Sequence, residues 1–436
     1  MTNAFSYQSG IYSAENVSLE RIAAEVGSPC YVYSTARLKQ NYQTFASGFT
    51  GLMTQIYYAN KANANLAVTR VLVDCGSGID ITSAGEMERA LAAGVSPHKI
   101  MYSGVGKRRD EIEAALTIGI HQINVESIPE LKVIEEIATS LNKRAPITIR
   151  FNPNVSARTY KKTSTGELGT KFGIDLAQLD EVMGIIATLP HIDFKGFQVH
   201  IGSHVFDYEP YREAYKKMAQ LTREWRARGV MVERLDLGGG ITIPYDGQTA
   251  APFLDYAAIV RETLGDIDCE LAFEPGRFLV GDAGVLLSRV VYDKQGLSKR
   301  FLIIDAGMND LLRPAMYGAR HSVVAVREAY NDDEPVADVV GPVCETSDLF
   351  GEDFRLPGVR QGDLVAILQA GAYGCSMSSN YNGRALIPEV LVSGDQYAVV
   401  RRRIDVQEQL GWEAFPQWMD GEKPVAAVQS SRTATG

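Results

Sequence analysis

Residues 56–125 read IYYANKANANLAVTRVLVDCGSGIDITSAGEMERALAAGVSPHKIMYSGVGKRRDEIEAALTIGIHQINV. Four short apolar or β-rich runs recur in this stretch at nearly constant spacing, at 56–59, 78–81, 100–103 and 122–125. Runs this short, rich in Ile, Val and Tyr, predict strands. Residues 83–93 (SAGEMERALAA, closed by Gly94) and 130–141 (ELKVIEEIATSL) carry apolar side chains at helical spacing and predict helices. Four more strand candidates follow at 148–151, 194–199, 234–236 and 271–273. Eight β-then-α units therefore fill roughly residues 36–278, close to the ~250 residues of a (β/α)8 TIM barrel. An open, doubly wound parallel sheet is the competing architecture.

After Phe278 the texture changes to short strands broken by glycine and acidic turns, as in VGDAGVLLSRVVYDKQ, KRFLIIDAG, ADVVGPVCE, GDLVAILQAGAYG and EVLVSGDQYAVVRRR. This pattern predicts a second, mostly β domain over 279–436. Residues 1–35, which open with AFSYQSGIYSAENV, are assigned to the same domain, and the last dozen residues, 425–436, read as a frayed tail. With 53 acidic against 43 basic residues and a net charge of −10, the chain lacks the basic footprint of a nucleic-acid binder. Neither a signal peptide nor a membrane-length apolar run stands in the sequence, which predicts a cytoplasmic protein. The five cysteines (Cys30, Cys75, Cys269, Cys344, Cys375) are scattered and never form a C-x-x-C pair. That argues against a disulfide framework or a cysteine zinc site.

In TIM barrels the chemistry sits at the carboxyl ends of the strands. Lys61 follows the first predicted strand, Asp80 lies just inside the end of the second, and His200 and Ser203 follow the sixth. Gly238, Gly239 and Gly240 follow the seventh, and Glu274, Gly276 and Arg277 the eighth. One lysine, one histidine, a glycine triplet and a Glu/Arg pair thus converge on one rim. A lone lysine is more often a snorkelling surface residue. A partly desolvated one has a lowered pKa and can form a Schiff base, the mode in which pyridoxal phosphate is held. Three glycines make a tight turn or let backbone N–H groups approach a phosphate. Glu274 is a solvated carboxylate or a partner for a pyridine nitrogen, and Arg277 an ion-pair partner or a fork for a substrate carboxylate. His200 and His204 stand four apart, but with Gly202 and no carboxylate between them they do not fit a helical zinc motif, so no metal is expected.

The runs YYANKAN, HIGSH, LDLGGG, FEPGR, GPVCETSD and GAYGCSMSSNYNGR, in order from about Phe5 to Arg403, resemble the fold-type III pyridoxal-phosphate decarboxylases, most closely their diaminopimelate-cleaving branch. The resemblance implies pyridoxal 5'-phosphate as cofactor, with Lys61 as its covalent anchor, His200 against its ring and Glu274 at its pyridine nitrogen. Asp80, Ser203, Gly238, Gly239, Gly240, Gly276, Arg277 and Tyr373 are the further cofactor-binding positions it implies. The substrate would meet Arg277, Arg313, Tyr317, Glu345 and Tyr373. Cys344 matches a thiol that the family brings in from the second subunit of a homodimer with shared sites.

The implied reaction is decarboxylation of meso-2,6-diaminopimelate to L-lysine and carbon dioxide, the last step of lysine biosynthesis, with Cys344 or Lys61 returning the proton. Asn60, Ala84, His204 and Lys161-Lys162 depart from the family pattern and bear on substrate more than on cofactor. The rival readings are a paralogue that decarboxylates D-ornithine, D-lysine or L-ornithine, and a non-catalytic relative that only binds the cofactor. No membrane or nucleic-acid partner is expected.

Overall fold

The computed structural model describes residues 4–157, 159, 163–328 and 335–419. Eight parallel strands form its centre: Thr54–Ala59, Gly78–Ile81, Ile100–Tyr102, Gln122–Val125, Ala145–Asn152, Ile192–Gln198, Arg234–Asp236 and Glu270–Phe273. The eighth pairs with the first, setting Leu271 beside Thr54 and Phe273 beside Ile56, so the sheet closes and the open-sheet alternative falls. Helices follow the strands, and side-chain caps set where several begin. Ser83 accepts the amide of Glu86 ahead of Ala84–Ala92, and Ser127 that of Glu130 ahead of Ile128–Ser140.

Side chains alternate along each strand, so one face packs on the helices and the other fills the barrel. Ile79, Ile81, Ile123, Val125, Ile147, Ile149, Leu235 and Phe273 belong to the main core, with helix residues such as Leu38, Leu72, Ile112 and Ile134. Tyr57, Met101 and Ala272 form a small separate apolar cluster. Gln122, Asn124, Thr148 and Asp236 are buried and hydrogen-bonded to one another, and buried Gln198 donates to Glu274. The barrel interior thus carries a polar layer beneath the rim that bears Lys61 and His200.

A second sheet of nine strands is built around the long strand Gly284–Gln295. That strand pairs antiparallel with Cys30–Ser34 from ahead of the barrel, and with Leu364–Ile367 and Arg300–Ile304 from behind it. The leading segment forms three short strands, Phe5–Gln8, Ile11–Ala14 and Val17–Ser18. Val323–Ala325 and Leu349–Phe354 are strands that the apolar runs did not announce. Two contacts place this sheet on the site: Tyr373 N donates to Ala62 O (2.8 Å), and Asn63 Nδ2 donates to Gly371 O (3.1 Å). Among the described residues no helix is long and apolar enough to cross a membrane. Lys161, Lys162 and the predicted tail at 425–436 lie outside the described residues.

Candidate active site

The first barrel strand passes into a single 3-10 turn, Asn60–Ala62, which sets Lys61 on the carboxyl rim. Asn60 is buried under that turn and donates to Thr69 Oγ1. Lys61 Nζ lies 3.2 Å from Asp80 Oδ2 at the end of the second strand. Burial pushes the Lys61 pKa down, but Asp80 and then Glu274 push it up further, and the net shift is upward. The lowered pKa expected from desolvation is therefore corrected. Two other strands deliver carboxylates to the amine, so the resting side chain is an ammonium.

Those carboxylates belong to a buried acidic floor. Ser103 Oγ donates to Asp80 Oδ1 at 2.6 Å and lies 3.3 Å from Glu274 Oε1. Asn124 Nδ2 and Gln198 Nε2 also reach Glu274 Oε1, at 3.1 and 3.3 Å. Burial, then Asp236 and Asp80, raise the Glu274 pKa well above the carboxylate range, while burial lifts Asp236 to about 7. The two carboxyls hydrogen-bond to each other, and the pair holds a proton above the usual carboxylate range.

His200 follows the sixth strand, and its Nδ1 accepts the amide of Gly239 at 3.1 Å. Burial, Arg150 and Lys61 hold its pKa well down, so the ring is neutral with its proton on Nε2. The glycine triplet is demanded by packing. A Cβ on Gly239 would lie 2.1 Å from Glu274 O, and one on Gly240, whose φ is +102°, 2.0 Å from Gly202 O. Asp236 Oδ1 takes the Gly238 amide, so two of the three amides are engaged within the protein. A Cβ on Gly276 would lie 3.1 Å from the Ala62 Cβ and 3.3 Å from the Ala59 Cβ, a tight fit.

A cavity of ≈ 200 Å³ opens above this layer, lined by Lys61, Thr163, Thr165, His200, Ser203, His204, Arg277, Arg313, Tyr317 and Tyr373. Arg277 is buried, donates to Tyr245 OH (2.7 Å) and reaches Ser203 Oγ (3.3 Å), and its guanidinium lies 4.8 Å from the centre of the Tyr373 ring. Its Nε is buried with no hydrogen-bond partner among the described residues, a donor that an anionic ligand would satisfy. Thr165 donates to His200 O and Thr163 to Ser203 O, docking the connection between strands five and six on the rim. His204 does not join His200. It bonds Thr242 and is held neutral, at about 3, by burial, Arg277 and Arg313.

Cys344 and Glu345 do not line this cavity. Cys344 is exposed, with its amide on Asn382 Oδ1, and Glu345 is exposed and bound by Tyr381 OH and Ser347 Oγ. Sequence reading missed Thr163, Tyr245 and His321. His321 stands two residues past the RPAMYGA run that holds Arg313 and Tyr317, but nothing in that spacing marks it as a partner of Arg313.

An amine, a hydroxyl, a guanidinium with an unsatisfied donor and a neutral imidazole, set over buried carboxyls, suit a phosphorylated pyridine aldehyde. The signature described as "Pyridoxal-dependent decarboxylase, pyridoxal binding domain" matches residues 35–281. Diaminopimelate decarboxylase of Pseudomonas aeruginosa is 44% identical over 414 residues, 95% of this chain and 99% of that protein. The structure of diaminopimelate decarboxylase from Helicobacter pylori complexed with L-lysine superposes with a TM-score of 0.87 at 39% identity, covering 90% of this chain and 98% of that one. That from M. jannaschii, also with L-lysine, gives 0.90 at 34% identity, covering 95% and 98%. The chain belongs to the diaminopimelate decarboxylase family of pyridoxal-dependent decarboxylases.

Proposed function

We propose that this chain catalyses the pyridoxal-phosphate-dependent decarboxylation of meso-2,6-diaminopimelate to L-lysine and carbon dioxide, the last step of lysine biosynthesis. The observation that carries the reading is one cavity holding Lys61 together with two buried guanidiniums, Arg277 and Arg313. Arg277 is oriented by Tyr245 and Ser203 and Arg313 by His321, neutral groups that do not cancel the charges. A substrate carboxylate and a phosphate are the ligands such a wall favours.

Pyridoxal phosphate, when bound, supplies an aldehyde that joins an amine and a ring that takes up the electron pair left by the departing carboxylate. Lys61 would anchor it, and Ser203, Arg277, Tyr373, Gly276 and the Gly238–Gly240 turn would surround its phosphate. His200 would face its ring, and Glu274, with Asp80 nearby, would serve its nitrogen. When the Cα–carboxylate bond breaks, carbon dioxide leaves and Cα needs a proton. Lys61, once released from the cofactor and held as an ammonium beside Asp80, would be one donor; Cys344 of the partner subunit would be the other. The exposure of Cys344 and Glu345, away from their own chain's cavity, supports a homodimer in which 1–35 and 279–436 form the domain that completes the partner's site.

The test is to incubate the protein and cofactor with meso-diaminopimelate, D-ornithine, D-lysine and L-ornithine, measuring carbon dioxide and amine products. Equal L-lysine and carbon dioxide from meso-diaminopimelate, far above the other substrates, is the expected result. Comparable turnover of D-lysine would move the assignment to a paralogue.

A further inference from the structure

Leaving the short helix Arg313–Tyr317, the chain turns at Gly318, whose φ of 63° lets its N–H reach Pro314 O. It returns at His321, which is fully buried with Nε2 2.7 Å from Arg313 Nη1. The other ring nitrogen, Nδ1, lies 2.8 Å from Leu368 O. A guanidinium only donates and a carbonyl only accepts, so these two contacts fix the tautomer. Nδ1–H donates to Leu368 O, and the Nε2 lone pair receives Arg313. Burial and the Arg313 charge hold the imidazole down at about 3, so it stays neutral. Its ring packs nearly perpendicular to Tyr245 (centroids 5.2 Å apart), whose ring centre lies 4.4 Å from the Arg313 guanidinium carbon and whose hydroxyl accepts from Arg277.

We propose that His321 is a positioning residue for substrate specificity, aiming Arg313 into the cavity as a neutral acceptor so that the guanidinium meets the substrate's distal carboxylate with its charge intact. A carboxylate in the same place would hold Arg313 as firmly but cancel that charge. Without that acceptor, Arg313 loses one of the contacts that fix its aim and regains part of the rotamer freedom that binding must remove again. The inference rests on the reading of Arg313 as the contact to the distal centre.

Asparagine at 321 keeps a group at the Nδ1 position for Leu368 O and loses the acceptor for Arg313, whereas glutamine reaches the Nε2 position and keeps it. In holoenzyme whose cofactor absorbance is intact, His321→Asn should raise KM for meso-diaminopimelate at least tenfold with kcat changed less than threefold. His321→Gln should stay within threefold of the unmutated protein on both constants. Inhibition gives a readout that plain packing loss would not sort. The Ki of L-lysine, which retains the distal carboxylate, should rise with KM in His321→Asn, and that of 1,5-diaminopentane, which has none, should not.

His321→Glu is the second variant should asparagine not fold, and the same rise in KM and in the L-lysine Ki is expected from charge cancellation. Equal effects of asparagine and glutamine, equal loss of both inhibitors, or an unchanged KM in His321→Glu would overturn the proposal. Arg313→Ala separates the two layers. If it leaves KM unchanged, the reading of Arg313 fails first; if it raises KM while His321→Asn does not, the role of His321 fails alone.

Discussion

Asp236 and Glu274 share one buried amide: Asn124 Nδ2 lies 3.0 Å from Oδ2 of Asp236 and 3.1 Å from Oε1 of Glu274. Both carboxyls are buried and hydrogen-bonded to each other, and both pKa values are raised, Asp236 to about 7. A carboxyl whose folded-state pKa lies above its unfolded value favours folding in its neutral form. That contribution is complete below about pH 4 and is lost as pH rises through the folded-state values. The cofactor-free protein should therefore lose thermal stability between pH 5 and pH 8, by a few kcal/mol at ~1.4 kcal/mol per unit. Glu274→Gln, which mimics the protonated acid, should show a shallower slope, and a slope as steep as that of the unmutated protein would refute the shared proton. The same variant should lower decarboxylation by about 10²-fold or more, as loss of a preorganised electrostatic partner does.

Arg313 is buried and lines the cavity, so truncating it removes a charged contact. Arg313→Ala should cost meso-diaminopimelate about 2 to 4 kcal/mol in kcat/KM. D-lysine, without the second carboxylate, should lose far less, which narrows the preference between them. Steady-state kinetics on both substrates check this, and equal losses would place Arg313 in the fold and not in recognition.

The exposure of Cys344 makes a mixing test decisive for the proposed dimer. Lys61→Ala and Cys344→Ala proteins should each be nearly inactive. On random re-association about half the dimers are mixed, and each mixed dimer rebuilds one intact site, so activity should return to about one quarter of the unmutated level by counting over a two-fold dimer. If Cys344 served its own chain, every site would carry one lesion and no activity would return.

The barrel was legible because each strand is a short apolar run between helical patterns, and 78–81, 122–125 and 234–236 coincide with observed strands. The fifth strand begins earlier than read, at Ala145, where Pro146 masks the pattern. The rim residues were legible because closure brings strand ends together whatever the loops do. The protonation of Lys61 was not, since it depends on Asp80 and Glu274 arriving from two other strands at once. His321 and Tyr245 were not legible either. Both lie in irregular segments without periodicity, and only the chain reversal at Gly318 and the packing of two arginines on Tyr245 bring them to the cavity.

Lys61 as the cofactor's covalent anchor can be tested most directly by adding pyridoxal phosphate to the purified protein, reducing with borohydride and mapping the modified peptide by mass spectrometry. The cofactor should be found on the peptide containing Lys61 and be absent from Lys61→Ala. A cofactor trapped on another lysine, or on none, would contradict the assignment of this rim as the catalytic site.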